Sequence, residues 1–318
     1  MAGNPDFNAL LSTTLQNYQP TLVDNIFKDL VLLDHLNAKG RVVIEEGGTS
    51  IVEPLLYATN GTVASYSGYD VIALTPQEGI TAANYQWKQM AASIAISGIE
   101  EAKNRGTEQI IKLLNAKIKQ TELSIKTELN DQLFGTAVGA TDNFNGIGGI
   151  VGTQGNSVGG IDAAGADNDW WDPTFGAVQG ATLSLINMGN TYNNCSRGND
   201  TPDIIVTTEP LFAKFESLLT PNVRYQDISK ANAGFQNLMF KQTPVVYDFA
   251  ITGGADAPMY FLNTKYLKLT GMNGHWFNTT DFQQGTVAGV DARYALVMAY
   301  GQLTCSNRQR QGFMTADE

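Results

Sequence analysis

Two histidines, His35 and His275, and two cysteines, Cys195 and Cys305, are all that this chain of 318 residues offers in those types for acid–base, nucleophilic or metal chemistry. A zinc site needs three or four converging ligands, and a serine or cysteine nucleophile needs a histidine base oriented by a third group. His275 lies in the loop-like run Gly271-Met272-Asn273-Gly274-His275-Trp276-Phe277, and His35 ends an N-terminal helical pattern, where a cation favours the helix dipole. Both read as structural. The adjacent pairs Glu45-Glu46 and Glu100-Glu101 are expected on strands, where neighbours point to opposite faces and cannot converge as catalytic carboxylates. They read as solvated surface or subunit contacts. Asp167-Asn168-Asp169 lacks the Gly and Glu that complete a calcium loop. The glycine-rich run 146–152 fits neither a dinucleotide fingerprint nor a P-loop and reads as a structural loop. Asn194-Cys195-Ser196 and Asn278-Thr279-Thr280 match the glycosylation sequon, which carries little weight without a secretory signal. Arg308-Gln309-Arg310 is a small basic cluster that suits a subunit salt bridge or a solvated tail. No catalytic, cofactor-binding or metal-binding residue is assigned, no cofactor is expected, and the chain reads as a non-enzyme.

Composition narrows the class further. A hydrophobic fraction of 43% with 9% aromatics belongs to a folded chain. Charged residues make up only 16%, and there are 32 glycines, so much of the surface is neutral and suited to packing against neighbours. Secreted proteins share that bias. The net charge of −11 argues against a general binder of nucleic acid or anionic membrane. No apolar run approaches a membrane span. The start, Met1-Ala2-Gly3-Asn4-Pro5-Asp6, lacks the basic and apolar regions of a signal peptide, and the initiator Met speaks against a removed propeptide. Two cysteines make no disulfide framework and are expected as free thiols.

The elements that would position any site follow from periodicity. Leu22, Ile26, Phe27, Leu30 and Leu33 share one helical face that Gly40 terminates. Residues 41–88 read as a long two-stranded excursion with a turn at Asn60-Gly61, too poor in apolar periodicity to hold a core of its own. Residues 84–98 alternate as a strand. A helix is expected over 107–134, with Ile111, Leu114, Ile118, Ile125, Leu129 and Leu133 in its stripe, Glu122 interrupting it, and Thr107 and Gly135 at its ends. Asp172-Pro173 is expected to open a helix through Phe175, Val178, Leu183, Leu185 and Ile186. Then come a β-branched strand, Asp203 to Thr208, a helix from Glu209-Pro210 to Leu219, and a return strand around Pro244-Val245-Val246. Met259 to Leu269 reads as two short strands with a bend, and Ala292 to Leu303 as a buried strand.

The order of these elements resembles the major capsid proteins of tailed bacteriophages with the Hong Kong 97 fold. In that family a strand reading roughly P-D-x-x-V leads into a helix, and a later L-x-G-x-P-V returns to the sheet of the axial domain. Pro202-Asp203-Ile204-Ile205-Val206 and Leu238 to Val245 occupy those places, with Gln242 where the family often has Gly. Gly146-Ile147 matches the turn that follows the family's long helix.

The resemblance implies an α+β, Hong Kong 97-like fold: an N-terminal arm (1–40), an extended loop (41–88), a peripheral domain (89–144) with a spine helix (107–134), an axial domain (145–287), and a returning peripheral strand with the C-terminal tail (288–318). It implies a coat protein that self-assembles into hexamers and pentamers of an icosahedral phage head, assembled in the host cytoplasm and resident in the virion. Its partners would be further copies of itself, a separate scaffolding protein, a portal and a decoration protein, with no membrane. Double-stranded DNA would be enclosed without sequence-specific binding, as a negatively charged wall allows. Some relatives crosslink a loop lysine to a neighbour's asparagine; this chain has no Lys between Lys39 and Lys88, so no such crosslink is expected. An arm of ~40 residues is too short for the fused scaffold of about a hundred residues that some relatives carry. The same fold builds encapsulin-type nanocompartment shells, which is the alternative; a secreted fibre or surface-layer protein is a distant third.

Overall fold

The computed structural model describes residues 30–103, 107–139, 141–176, 182–219, 238–254, 256–284 and 291–317. The expected helical face at Leu22, Ile26 and Phe27 lies outside them. Its continuation is the helix Val31–Ala38, which buries Leu32, Leu33 and Leu36. Gly40 takes φ +64°, and Arg41 N donates to Leu36 O while Gly40 N donates to Asn37 O. Those paired bonds form a Schellman cap, which places glycine at the left-handed residue after the helix.

Two six-stranded sheets organise the described residues. The first is organised around the strand Ala292–Cys305. On one side it pairs antiparallel with Lys88–Ser97, from Ala292 opposite Ser97 to Gly301 opposite Lys88. Its remaining partners are Gln283–Gln284, Asn278–Thr279 and Leu267–Met272, the last pairing Leu267 with Cys305 through Gly271 with Gly301. Val42–Glu45 then runs parallel to Leu267–Met272. The expected strand over 84–98 is in fact two, Ile80–Tyr85 and Lys88–Ser97, parted at Gln86-Trp87. There Gln302 Nε2 takes the Gln86 carbonyl and the Trp87 indole donates to Gly48 O.

The helix Thr107–Phe134 is present over the expected span, with Thr107 as its first helical residue rather than the cap before it. At 28 residues it runs ~42 Å. Ile118, Ile125, Leu129 and Leu133 are buried as a stripe with Glu122 among them; the side chains of Ile111 and Leu114 lie outside the described set. Lys117 Nζ donates to Ala95 O at 2.7 Å and to Glu100 at 2.8 Å, tying this helix to the strand Lys88–Ser97. Glu100 sits on a short helix, Gly98–Lys103, not on the expected strand.

The second sheet orders Thr174–Phe175, Gly312–Ala316, Ala257–Leu262, Ile204–Thr207, Thr243–Tyr247 and Leu238–Phe240. Ile204–Thr207 and Thr243–Tyr247 are parallel, and the helix Glu209–Leu218 follows the first of them, capped by Thr208. Ile205, Val245, Met259 and Met314 pack in one cluster with Met188, Tyr192, Leu211 and Phe215 of the helices Leu185–Cys195 and Glu209–Leu218. Ile204, Val206, Tyr260 and Phe313 join the larger core. Burial on both faces explains why Ile204–Thr207 reads as an unbroken β-branched run without polar alternation. The helix expected from Pro173 is a correction. Thr174–Phe175 instead pairs parallel with Gly312-Phe313, and Phe175 packs on Phe313 at 5.0 Å. The helix begins at Leu185, capped by Ser184; Val178 lies outside the described residues. The expected bend near Met259–Leu269 carries the chain between sheets through one 3-10 turn, Thr264–Tyr266.

Candidate functional site

The strands Ile51–Leu56 and Ile80–Tyr85 form a separate antiparallel ribbon, from Ile51 opposite Tyr85 to Leu56 opposite Ile80. The stretch 57–79 between them carries no strand, so Asn60-Gly61 turns within a long loop rather than closing a tight hairpin. Strand alternation gives the ribbon two faces. Ile51, Glu53, Leu55, Ala83 and Tyr85 face the body and are buried. Val52, Pro54, Leu56 and Ile80 face away, with Leu56 80% and Ile80 79% exposed. Val63, Tyr66, Tyr69, Val71 and Leu74 continue this exposure along the loop. Apolar side chains exposed together mark an interaction surface.

The inner face is fastened by polar contacts as well as by packing. Both oxygens of the buried Glu53 carboxylate accept from Lys268 Nζ, at 3.0 and 2.8 Å, and Thr304 Oγ1 donates to it at 3.2 Å. The Tyr85 hydroxyl donates to Cys305 O at 2.7 Å, and burial pushes its pKa well above the usual phenol value. Asn84 N donates to Gly159 O at 2.7 Å, and Tyr57 stacks on Trp170 with ring centroids 5.1 Å apart. Lys268, Thr304 and Cys305 belong to the first sheet, so the ribbon is held at its base and presents its outer face and loop.

The histidines, cysteines and Arg308 each have a structural setting. His35 Nε2 lies 3.2 Å from Asp203 Oδ2, joining the helix Val31–Ala38 to the start of the strand Ile204–Thr207. Burial works against ionisation of Asp203, but hydrogen bonds from His35 and Thr264 prevail and hold its carboxyl below the ordinary range. His275 stacks on Tyr300 at 5.0 Å. Burial pushes the Cys195 and Cys305 thiols up to about 12, so neither supplies a thiolate near neutrality. Arg308 overturns the reading of its cluster as a salt bridge or solvated tail: its guanidinium is fully buried and donates to the carbonyls of Ile150, Asn156 and Thr153 at 2.7, 3.1 and 3.1 Å. It thereby pins the glycine-rich run, whose residues 147–150 form one helical turn. Among the described residues no group of three or more His, Cys, Asp or Glu side chains could hold a metal ion, and no helix is long and apolar enough to cross a membrane.

Neither a protein-family model nor a curated protein matches the sequence. Solved structures do. The chain superposes on the capsid asymmetric unit of cyanophage A-1(L) with a TM-score of 0.64 at 16% identity, over 86% of this chain and 89% of that one. On the capsid of a native GTA particle the TM-score is 0.58 at 10% identity, over 88% of each chain. The holo-SrpI encapsulin of Synechococcus elongatus PCC 7942 gives 0.51 at 8% identity, over 74% of this chain and 75% of that one. The protein therefore has the mixed helix-and-strand fold of phage capsid proteins, a fold shared with an encapsulin shell.

Proposed function

We propose that this chain is the major coat subunit of a tailed-phage head, acting by shape rather than by chemistry. The observation that carries this reading is a capsid fold over most of the chain together with a ribbon whose outer face is apolar and exposed. In the Hong Kong 97-like layout, residues 41–88 correspond to the extended loop, the helix Thr107–Phe134 to the spine, residues 145–287 to the axial domain, and Ala292–Cys305 to the returning strand. Subunits join as hexamers and pentamers, with the outer face of each ribbon covered by an adjacent copy. A shell of subunits carrying −11 each repels the DNA it encloses and leaves it free to exit. A scaffolding protein, a portal and a decoration protein are the partners such a shell would recruit, in the host cytoplasm.

Electron microscopy of the purified protein tests the assignment. Closed shells, tubes or capsomers are expected; a monodisperse small oligomer that never assembles would count decisively against it. The likeness to an encapsulin supports a second reading, a nanocompartment shell, which an enzyme co-purifying inside DNA-free particles would favour.

A further inference from the structure

We propose that Asn60 is a site of self-catalysed deamidation, and that the fold directs this modification to one of the chain's three Asn-Gly pairs, Asn60-Gly61, Asn145-Gly146 and Asn273-Gly274. The main-chain nitrogen of Gly61 attacks the side-chain amide carbon of Asn60. A C–N bond forms, the bond to the side-chain nitrogen breaks, and ammonia leaves carrying the proton lost by Gly61. Water then opens the resulting succinimide at either carbonyl, giving aspartate or isoaspartate. No enzyme, oxidant or cofactor takes part. Glycine favours the step because no Cβ crowds the attacking nitrogen.

The three pairs share this sequence but not its freedom. At Asn145 the reaction is blocked: the attacking nitrogen, Gly146 N, already donates to the main-chain Ala137 O at 2.8 Å, and the Asn145 side chain is buried. A Cβ on Gly146 would stand 1.9 Å from Gly135 O, so the chain there has no room to rotate. Asn273 is also exposed, but a closed turn fixes its peptide: His275 N donates to Met272 O at 3.1 Å, Asn273 N to Glu45 O at 2.8 Å, and Gly274 holds φ +75°.

Asn60 is exposed, within the strandless stretch between Leu56 and Ile80. Its Gly61 N is engaged only by Gln77 Oε1, at 3.3 Å, on another exposed part of the loop. The Thr62 main-chain N–H and hydroxyl both donate to Asn60 Oδ1, at 2.9 and 2.6 Å, which draws electron density from the carbon under attack. The product replaces a neutral amide with a carboxylate and, as isoaspartate, lengthens the backbone by one carbon at the ribbon's loop.

Peptide mapping of the full chain after incubation in warm, mildly alkaline buffer, with isoaspartate-specific detection, decides the matter. Deamidation at Asn60 is expected to run at least roughly tenfold faster than at Asn145 or Asn273, whose reaction waits on local opening. Gly61→Ala should suppress it without unfolding the protein, because the added methyl meets only the Gln77 side chain, at 3.1 Å. Equal or faster modification at Asn145 or Asn273 would overturn the proposal. So would an unmodified Asn60 under conditions where a synthetic peptide of residues 57–66 deamidates.

Discussion

Gly271 and Gly301 lie directly opposite one another in the first sheet, and the ring of Trp276 covers both. A Cβ on Gly271 would stand 2.6 Å from Trp276 Cδ2; one on Gly301 would stand 2.6 Å from both Trp276 Cζ3 and Thr270 O. The indole fills the space that two side chains would otherwise occupy. Gly301→Ala should destabilise the subunit by ~1–3 kcal/mol. Gly271→Ala should cost a similar amount, because its Cβ would also meet Trp276 Cγ at 2.8 Å, near the base of a rigid ring. Urea denaturation followed by tryptophan fluorescence measures both; a Gly301→Ala change within error of the parent would show that the ring is not wedged there.

Lys268 and Glu53 set a second expectation. Lys268→Met leaves a buried carboxylate without its cation and should cost about 2 kcal/mol, a reduced value for a pair with one partly exposed member. Adding Glu53→Gln should recover much of the loss, and a double-mutant cycle reads the coupling. Additive effects would mean that packing alone holds the ribbon.

Stability should respond to pH through two carboxyls of opposite sign. Asp203 has a depressed pKa, so its contribution is present above the ordinary value of 3.8 and is lost as pH falls through the folded value. Asp248 is raised by burial, with Asp131 adding to the shift against hydrogen bonds from Ala250 N and Asn130. Its contribution is present below 3.8 and is lost as pH rises through the folded value. Asp203→Asn should therefore flatten the acid limb of the stability profile, and Asp248→Asn the limb above it. Chemical denaturation across pH tests each; an unchanged profile in either variant removes that carboxyl from the account.

Gln242 adopts φ +67°, and Lys241 before it φ +45°, in the turn between Leu238–Phe240 and Thr243–Tyr247. Side chains resist this left-handed region by about 1–2 kcal/mol per residue. Lys241 is held by its Nζ on Asn193 Oδ1 at 2.7 Å and over the Tyr192 ring; the structure gives no comparable anchor for Gln242. Gln242→Gly should raise stability by up to ~1 kcal/mol, seen as a higher denaturation midpoint; a lower midpoint would locate an unrecognised contact of the Gln side chain.

Leu56→Asp with Ile80→Asp should leave the isolated subunit within ~0.5 kcal/mol of the parent, as exposed positions do, while abolishing assembly. Hydrogen exchange offers a parallel readout: the strandless loop 57–79 should exchange quickly in free subunits and slowly in particles, while the paired strands on either side are protected in both. Undiminished assembly of the double variant would remove the outer face from the proposed contact.

Local patterns carried much of the fold because its longest elements are strongly periodic. The stripe Ile118, Ile125, Leu129, Leu133 and the run Ile204–Thr207 could be read directly. The strand at Thr174–Phe175 could not, since it exists only through pairing with residues 312–313, far along the chain. The ribbon's anchor was partly legible: Glu53 stands between Ile51 and Leu55 on a strand face, and a carboxylate at an inward position asks for a partner. Nothing local names Lys268 as that partner. Arg308 misled because a basic cluster usually means surface, and its carbonyl partners lie more than 150 residues earlier.

The strand Gly312–Ala316 lies inside the second sheet, between Thr174–Phe175 and Ala257–Leu262, and Ala292–Cys305 is the axis of the first. During translation, neither sheet can close until the ribosome has delivered residues 292–316. Helices such as Thr107–Phe134 can form as they emerge, but the surfaces they cover must wait for those late strands. Folding of such non-local pairings is slow. A nascent chain stalled before residue 292 therefore has neither sheet complete, and its earlier strands stand with unpaired edges until synthesis is nearly over.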